Sequence, residues 1–135
     1  MRRKAREAAL KVLFEVDVGR ADAAESLERT LGEERLSAGA AQFARQLVDG
    51  VLGQLDLLDG ELARYSHDWS PRRMGAVDRN ILRLACYEMR ELPDIPAGVA
   101  INEAVELAKK FSTAEAARFV NGILGQMAKA PGEHS

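Results

Sequence analysis

Apolar residues recur at helical spacing along almost the whole chain. Between residues 3 and 17, Ala5, Ala8, Ala9, Val12, Leu13 and Val16 fall at i, i+3, i+4 intervals, the mark of one buried helix face. Gly19 is the expected stop. Residues 22–32 predict a shorter helix with Asp22 as N-cap and Leu27 and Leu31 turned inward. The stretch EERLSAGA that follows reads as a loop, with Ser37 placed to cap the next helix. A long pattern over 39–65 carries Phe43, Leu47, Val48, Val51, Leu55, Leu58 and Leu62 on one side. Gly50 and Gly53 interrupt it. Each costs about 1 kcal/mol against alanine inside a helix, so a close helix approach or a bend is expected there.

SHDWSP then breaks the pattern, with Ser70 as an N-cap and Pro71 at the first helical position. A short turn to about Met74 follows, and Gly75 separates it from a strong helix at 77–91. Val77, Ile81, Leu84 and Ala85 trace the inner side of that helix, widened by Leu82 and Met89. Pro93 and Pro96 end it and force an extended link. Residues 98–111 predict another helix, with Ile101, Ala104, Val105, Ala108 and Phe111 inward. Ser112 and Glu115 read as a capping box for a last helix. Its stripe is Phe119, Val120, Ile123, Leu124 and Met127, and PGEHS at 131–135 is a frayed tail. No strand alternation persists and no long repeat period appears. The expected fold is all-α, a compact bundle of six to seven helices built by helix-on-helix burial.

Length fits one domain over 1–135, with a subdomain break near 66–71 and a flexible tail at 130–135. Hydrophobic content of 47% argues for a packed core rather than disorder. The lone cysteine, Cys86, lies in the apolar run ILRLACYEM and reads as a buried thiol, so no internal disulfide forms. No signal-peptide order and no apolar run long enough for a span is present, so the expectation is a cytoplasmic protein away from the membrane.

Catalytic chemistry finds little footing. Two histidines do not suit most histidine-based metal sites, and His134 is in the tail. CxxC, HExxH, Walker A and GxGxxG are all absent. Ser66, His67 and Asp68 are consecutive, but triad members meet through the fold rather than along the chain. Asp56, Asp59 and Glu61 read as a solvated helix face. The expectation is a protein that is no enzyme and holds neither cofactor nor metal.

Charge changes the picture. The chain carries net −2, yet five of its first eleven residues are basic: Arg2, Arg3, Lys4, Arg6 and Lys11, against Glu7 alone. The helix macrodipole disfavours cations at that end, and bound phosphates would remove the penalty. From charge alone, nucleic acid, a solvated tail and a membrane surface all stand as readings. A second basic group is Arg72, Arg73, Arg79 and Arg83 around Asp78. A third is Lys109, Lys110 and Arg118. There Phe119 follows Arg118, as an exposed aromatic that stacks on unpaired bases would. Periodicity alone places Phe119 in the core instead.

The order VDRNILRLACYEM, IP, VAINEAVELAKKF and RFVNGIL resembles the NusB family of bacterial transcription antitermination factors, as does the opening RRKAREAALKVLFEVD. The resemblance covers residues 2 to 128. It implies two small helical subdomains and a function in binding. Family members bind the boxA element of nascent ribosomal RNA together with NusE, a ribosomal protein, within an antitermination complex on RNA polymerase. Carried onto this sequence, RNA contacts fall on Arg2, Arg3, Lys4, Arg6, Arg83, Arg118 and Phe119, and Asp78 is the acidic contact to NusE. Asn102, Glu103, Asn121, Tyr87 and Glu88 are expected to serve the architecture. Self-association is a further state the family implies, with the apolar face of 43–58 as its candidate surface. A NusB-like domain also precedes the catalytic domain of RNA cytosine methyltransferases. This makes an RNA-binding or dimerising accessory module the alternative, although the chain shows no nucleotide-cofactor motif.

Overall fold

A computed structural model describes residues 2–66 and 74–129. Among them lie seven α-helices and no strand: α1 (Arg2–Gly19), α2 (Ala23–Glu34), α3 (Ala38–Gly53), α4 (Leu55–Ala63), α5 (Ala76–Glu91), α6 (Ala97–Phe111) and α7 (Ala114–Lys129). The expected all-α class holds. The expected Ser70–Pro71 helix start, Arg72 and Arg73, and the tail at 130–135 lie outside the described residues.

The chain divides into two compact units, at Gly53 and Gln54. Sequence reading places the break near 66–71 and runs one helix through 39–65. The physical reason for the difference is local. Gln54 leaves the helical region at φ −134° and ψ 26°, with no side-chain cap. Gly53 before it has open space where a Cβ would stand. This glycine therefore marks a break between helices rather than a close approach.

In the first unit, α1 packs against α2 and α3. Ala5, Ala8, Ala9 and Val12 are fully buried on α1, as are Ala44, Leu47, Val48 and Val51 on α3. Small residues on α1 leave its backbone closely covered. Asp22 caps α2 as predicted, accepting from the Glu25 amide at 3.0 Å. Ser37 does the same for α3, at 3.2 Å from the Ala40 amide. The α2 helix outruns its predicted end by two residues and stops at Arg35, which adopts the left-handed conformation, φ 52°. Two clamps tie α2 to α1. Ser26 donates to Glu15 at 2.6 Å, beside Arg29 on the same carboxylate. Lys11 donates to Glu34 at 2.7 Å.

In the second unit, α5 is central and packs against α4, α6 and α7. Every residue from Asn80 to Glu88 is buried, so this helix is covered all round. It therefore takes polar groups into the interior, and each needs a partner. Asn80 bonds the Ala76 carbonyl at 2.8 Å. Arg90 reaches Glu61 of α4 at 3.6 Å, and Arg64 reaches the same carboxylate oxygen at 3.3 Å. Cys86 is fully buried, and burial pushes its thiol up to about 12, helped by the nearby Glu61 carboxylate. It is an inert core group, as its apolar run suggests.

The last helix starts differently from expectation. Thr113, not Ser112, is the cap, its hydroxyl accepting from the Ala116 amide at 2.9 Å. Ser112 closes α6 at φ −134° and ψ −127°. The connection between α6 and α7 is only two residues long, and with Ser112 closing α6 the capping task falls to Thr113.

Candidate nucleic-acid interface

The basic start of α1 resolves into groups with separate environments. Arg2, Arg3 and Lys4 are exposed, whereas Arg6 is buried at 3% exposure. Phe43 of α3 organises two of them. The Arg2 guanidinium lies 4.6 Å from the ring centroid and that of Arg6 lies 5.4 Å from it, within cation–π range. Phe43 is itself buried. The ring thus gathers two like charges at one helix end, where the macrodipole opposes both. Arg6, expected as an RNA contact, is thus held largely within the fold of the free protein. Sequence reading assigned Phe43 to the apolar face alone, and no local signal links it to α1.

The two described members of the second basic group, Arg79 and Arg83, are engaged within the fold. Arg79 donates to the Met74 carbonyl at 3.0 Å. Arg83 is 8% exposed. Its Nε and one Nη donate in parallel to the two Asp59 oxygens of α4, each at 2.8 Å. A bidentate, mostly desolvated pair of this kind is a cross-link. Arg83, expected as an RNA contact, is paired with α4 in the free protein. Asp59, expected on a solvated face, is its anchor.

The third group keeps its cations at the surface. Lys109, Lys110 and Arg118 are exposed, and Phe119 is 38% exposed. Phe119 therefore leaves the apolar stripe that periodicity assigns it to, while Val120, Ile123, Leu124 and Met127 keep that stripe buried. Between α6 and α7 an open groove of about 540 Å³ is lined on its rim by Asn102, Lys109, Arg118 and Asn121. Asn102 and Asn121, expected to serve the architecture, are exposed, and neither side chain makes a hydrogen bond among the described residues. Asn102 lies inside α6 rather than at a helix end. Tyr87, Glu88 and Glu103 from the same set do engage other groups, and the first two are buried.

Asp78 stands in the first turn of α5, where its charge suits the helix dipole. One of its carboxylate oxygens is shielded from solvent and has no hydrogen-bond partner among the described residues.

Residues 3–129 match the model of the NusB family. The chain belongs to the NusB family. It is 47% identical over 133 residues to the transcription antitermination protein NusB of Desulforudis audaxviator (strain MP104C), covering 98% of this chain and 96% of that protein. It is 45% identical over 126 residues to the NusB protein of Bacillus subtilis (strain 168), covering 93% of each. A NusB structure from T. maritima superposes with a TM-score of 0.88 at 41% identity, over 96% of this chain and 91% of that one. A crystal structure of the antitermination factors NusB and NusE in complex with dsRNA superposes with a TM-score of 0.87 at 29% identity, over 95% and 96% of the two chains. The family is one of regulatory factors. Among the described residues no metal-binding cluster of acidic, histidine and cysteine side chains is present, and no helix is long and apolar enough to cross a membrane.

Proposed function

We propose that this protein is a cytoplasmic, non-catalytic antitermination factor that binds boxA RNA of ribosomal RNA transcripts together with NusE, within an assembly on RNA polymerase. The observation that carries the reading is the cationic first turn of α1, gathered on Phe43, in a chain of a family whose solved relative holds NusE and RNA. Five exposed cations, Arg2, Arg3, Lys4, Lys109 and Arg118, are assigned to the RNA. They neutralise phosphates and release counterions, while Phe119 supplies a stacking face for an unpaired base. Asp78, in the first turn of α5, is the acidic residue assigned to face NusE.

The test is binding of a labelled boxA RNA and a scrambled RNA, with and without NusE, across a salt series. Five neutralised phosphates give a slope of log K against log salt near about −3.5, at roughly 0.7 per phosphate for single strands. The triple variant Arg2→Ala, Arg3→Ala, Lys4→Ala should flatten the slope by about 2. A slope near zero for the unaltered protein, or no preference for boxA even with NusE, refutes the reading.

A further inference from the structure

We propose that the groove between α6 and α7 seats one unpaired nucleotide of the bound RNA, and that Asn102 and Asn121 read the edge of its base. The inference rests on the RNA-binding reading above and adds the site of sequence discrimination to it. A volume of about 540 Å³ lies within the range of clefts that take small ligands, about 300–1,000 Å³. One wall comes from α6 and the other from α7, and each contributes one asparagine.

The chemistry of the rim selects the occupant. A carboxamide carries both donors and an acceptor, whereas lysine and arginine only donate. Two carboxamides facing one cleft therefore match a base edge, which presents donors and acceptors in a pattern that differs from base to base. Lys109 and Arg118 complement the phosphate. No carboxylate lines the groove. Lys109 also has Glu106 of its own helix 3.5 Å from its ammonium. Ile101, Val105 and Ala117 give an apolar lining, suited to a base face. The side chains of Asn102, Arg118 and Asn121 have no hydrogen bond within the described chain, so binding breaks none there. Phe119, exposed next to Arg118, offers the following base a stacking surface. An acidic peptide would satisfy the two cations but would leave paired carboxamides and an apolar lining without purpose.

The test uses the full-length protein with NusE and compares its affinities for boxA RNA and a scrambled RNA of equal length. The double variant Asn102→Ala, Asn121→Ala should lose at least fivefold in that selectivity ratio. Its affinity for the scrambled RNA and its salt slope should be unchanged, because no cation is removed. Gly98→Leu is the second variant. Gly98 lines the groove, and a Cβ there meets no atom within 4 Å, so a bulky side chain occupies the cleft without a clash at its root. It should lower the ratio in the same way, and it alone decides if the double variant is unfolded by circular dichroism. A loss below fivefold overturns the proposal. So does retained RNA selectivity with loss of the strengthening by NusE, which would make the groove a protein site. Absence of selective binding by the unaltered protein is a different outcome, and it removes the RNA-binding reading itself.

Discussion

Breaking the Arg83–Asp59 pair separates a structural cross-link from an RNA contact. The Arg83 side chain is 10% exposed and that of Asp59 is 24% exposed. Two parallel bonds of 2.8 Å join them. Removing one partner of a fully buried pair costs about 3–5 kcal/mol, and an exposed pair is worth about 0.2–1 kcal/mol. This pair lies closer to the first limit, because each single change strands a charge that has little water around it. Arg83→Ala and Asp59→Ala should each destabilise the protein by about 3 kcal/mol. In the double variant neither charge remains stranded, so the cost should fall about 2 kcal/mol short of the sum of the two. Arg83→Lys keeps the charge and loses the planar fork, at a cost of about 1–2 kcal/mol. The assay is equilibrium unfolding in urea, followed by circular dichroism, for the unaltered protein and the four variants. A coupling below about 0.5 kcal/mol, together with weaker RNA binding by Arg83→Ala at unchanged stability, would refute the cross-link and restore Arg83 to the RNA surface.

Other consequences are open to direct measurement. Phe43→Leu should cost about 1–2 kcal/mol of stability and weaken RNA binding several-fold in titrations, because Arg2 and Arg6 lose the ring that gathers them. Thr113→Ala should cost about 1 kcal/mol in urea unfolding while Ser112→Ala costs a few tenths. The reverse order would return the cap to Ser112. The Ser26 hydroxyl, and then Arg29, hold the Glu15 carboxyl below the ordinary value of 4.5. The stability this adds is therefore complete above pH 4.5 and is lost as pH falls through the lower folded value. Glu15→Gln should flatten the acid limb of a stability–pH curve, by well under 1 kcal/mol given solvent screening. Cys86 should resist a thiol reagent at pH 8 in the native state and react at once in urea. Rapid native labelling would contradict its burial.

Helix positions were legible because the apolar stripes of α1, α5, α6 and α7 repeat over several turns, and a buried face leaves its period in the sequence. Asp22 and Ser37 were legible too, since a cap acts on amides only three residues away. The break at Gln54 was not. The apolar positions on α3 and α4 stay nearly in phase across it, so periodicity continues where the backbone does not. The Ser112 and Thr113 confusion has a related origin: both hydroxyls stand at plausible offsets, and the length of the connection decides between them.

Within the candidate site, charge was legible and its availability was not. An arginine that will stack on Phe43 or grip Asp59 has the same letter as one left in water, and both partners lie far along the chain. Arg6 and Arg83 are buried with such partners, and Arg2 stacks on Phe43 while remaining exposed. The opposite error occurs at Asn102 and Asn121. A polar residue inside an apolar stripe is ordinarily explained by a hydrogen bond to a neighbouring helix, yet both of these stand exposed on the groove without one. Phe119 follows the same logic: a helical period that would bury it is overridden at the rim of the bundle. Basic side chains are plentiful in the sequence, so each says little about function. An unsatisfied carboxamide or a surface phenylalanine is a weaker feature of the sequence and a stronger one of the structure. The proposed nucleotide seat gives both features a common use, and the Asn102→Ala, Asn121→Ala variant tests it.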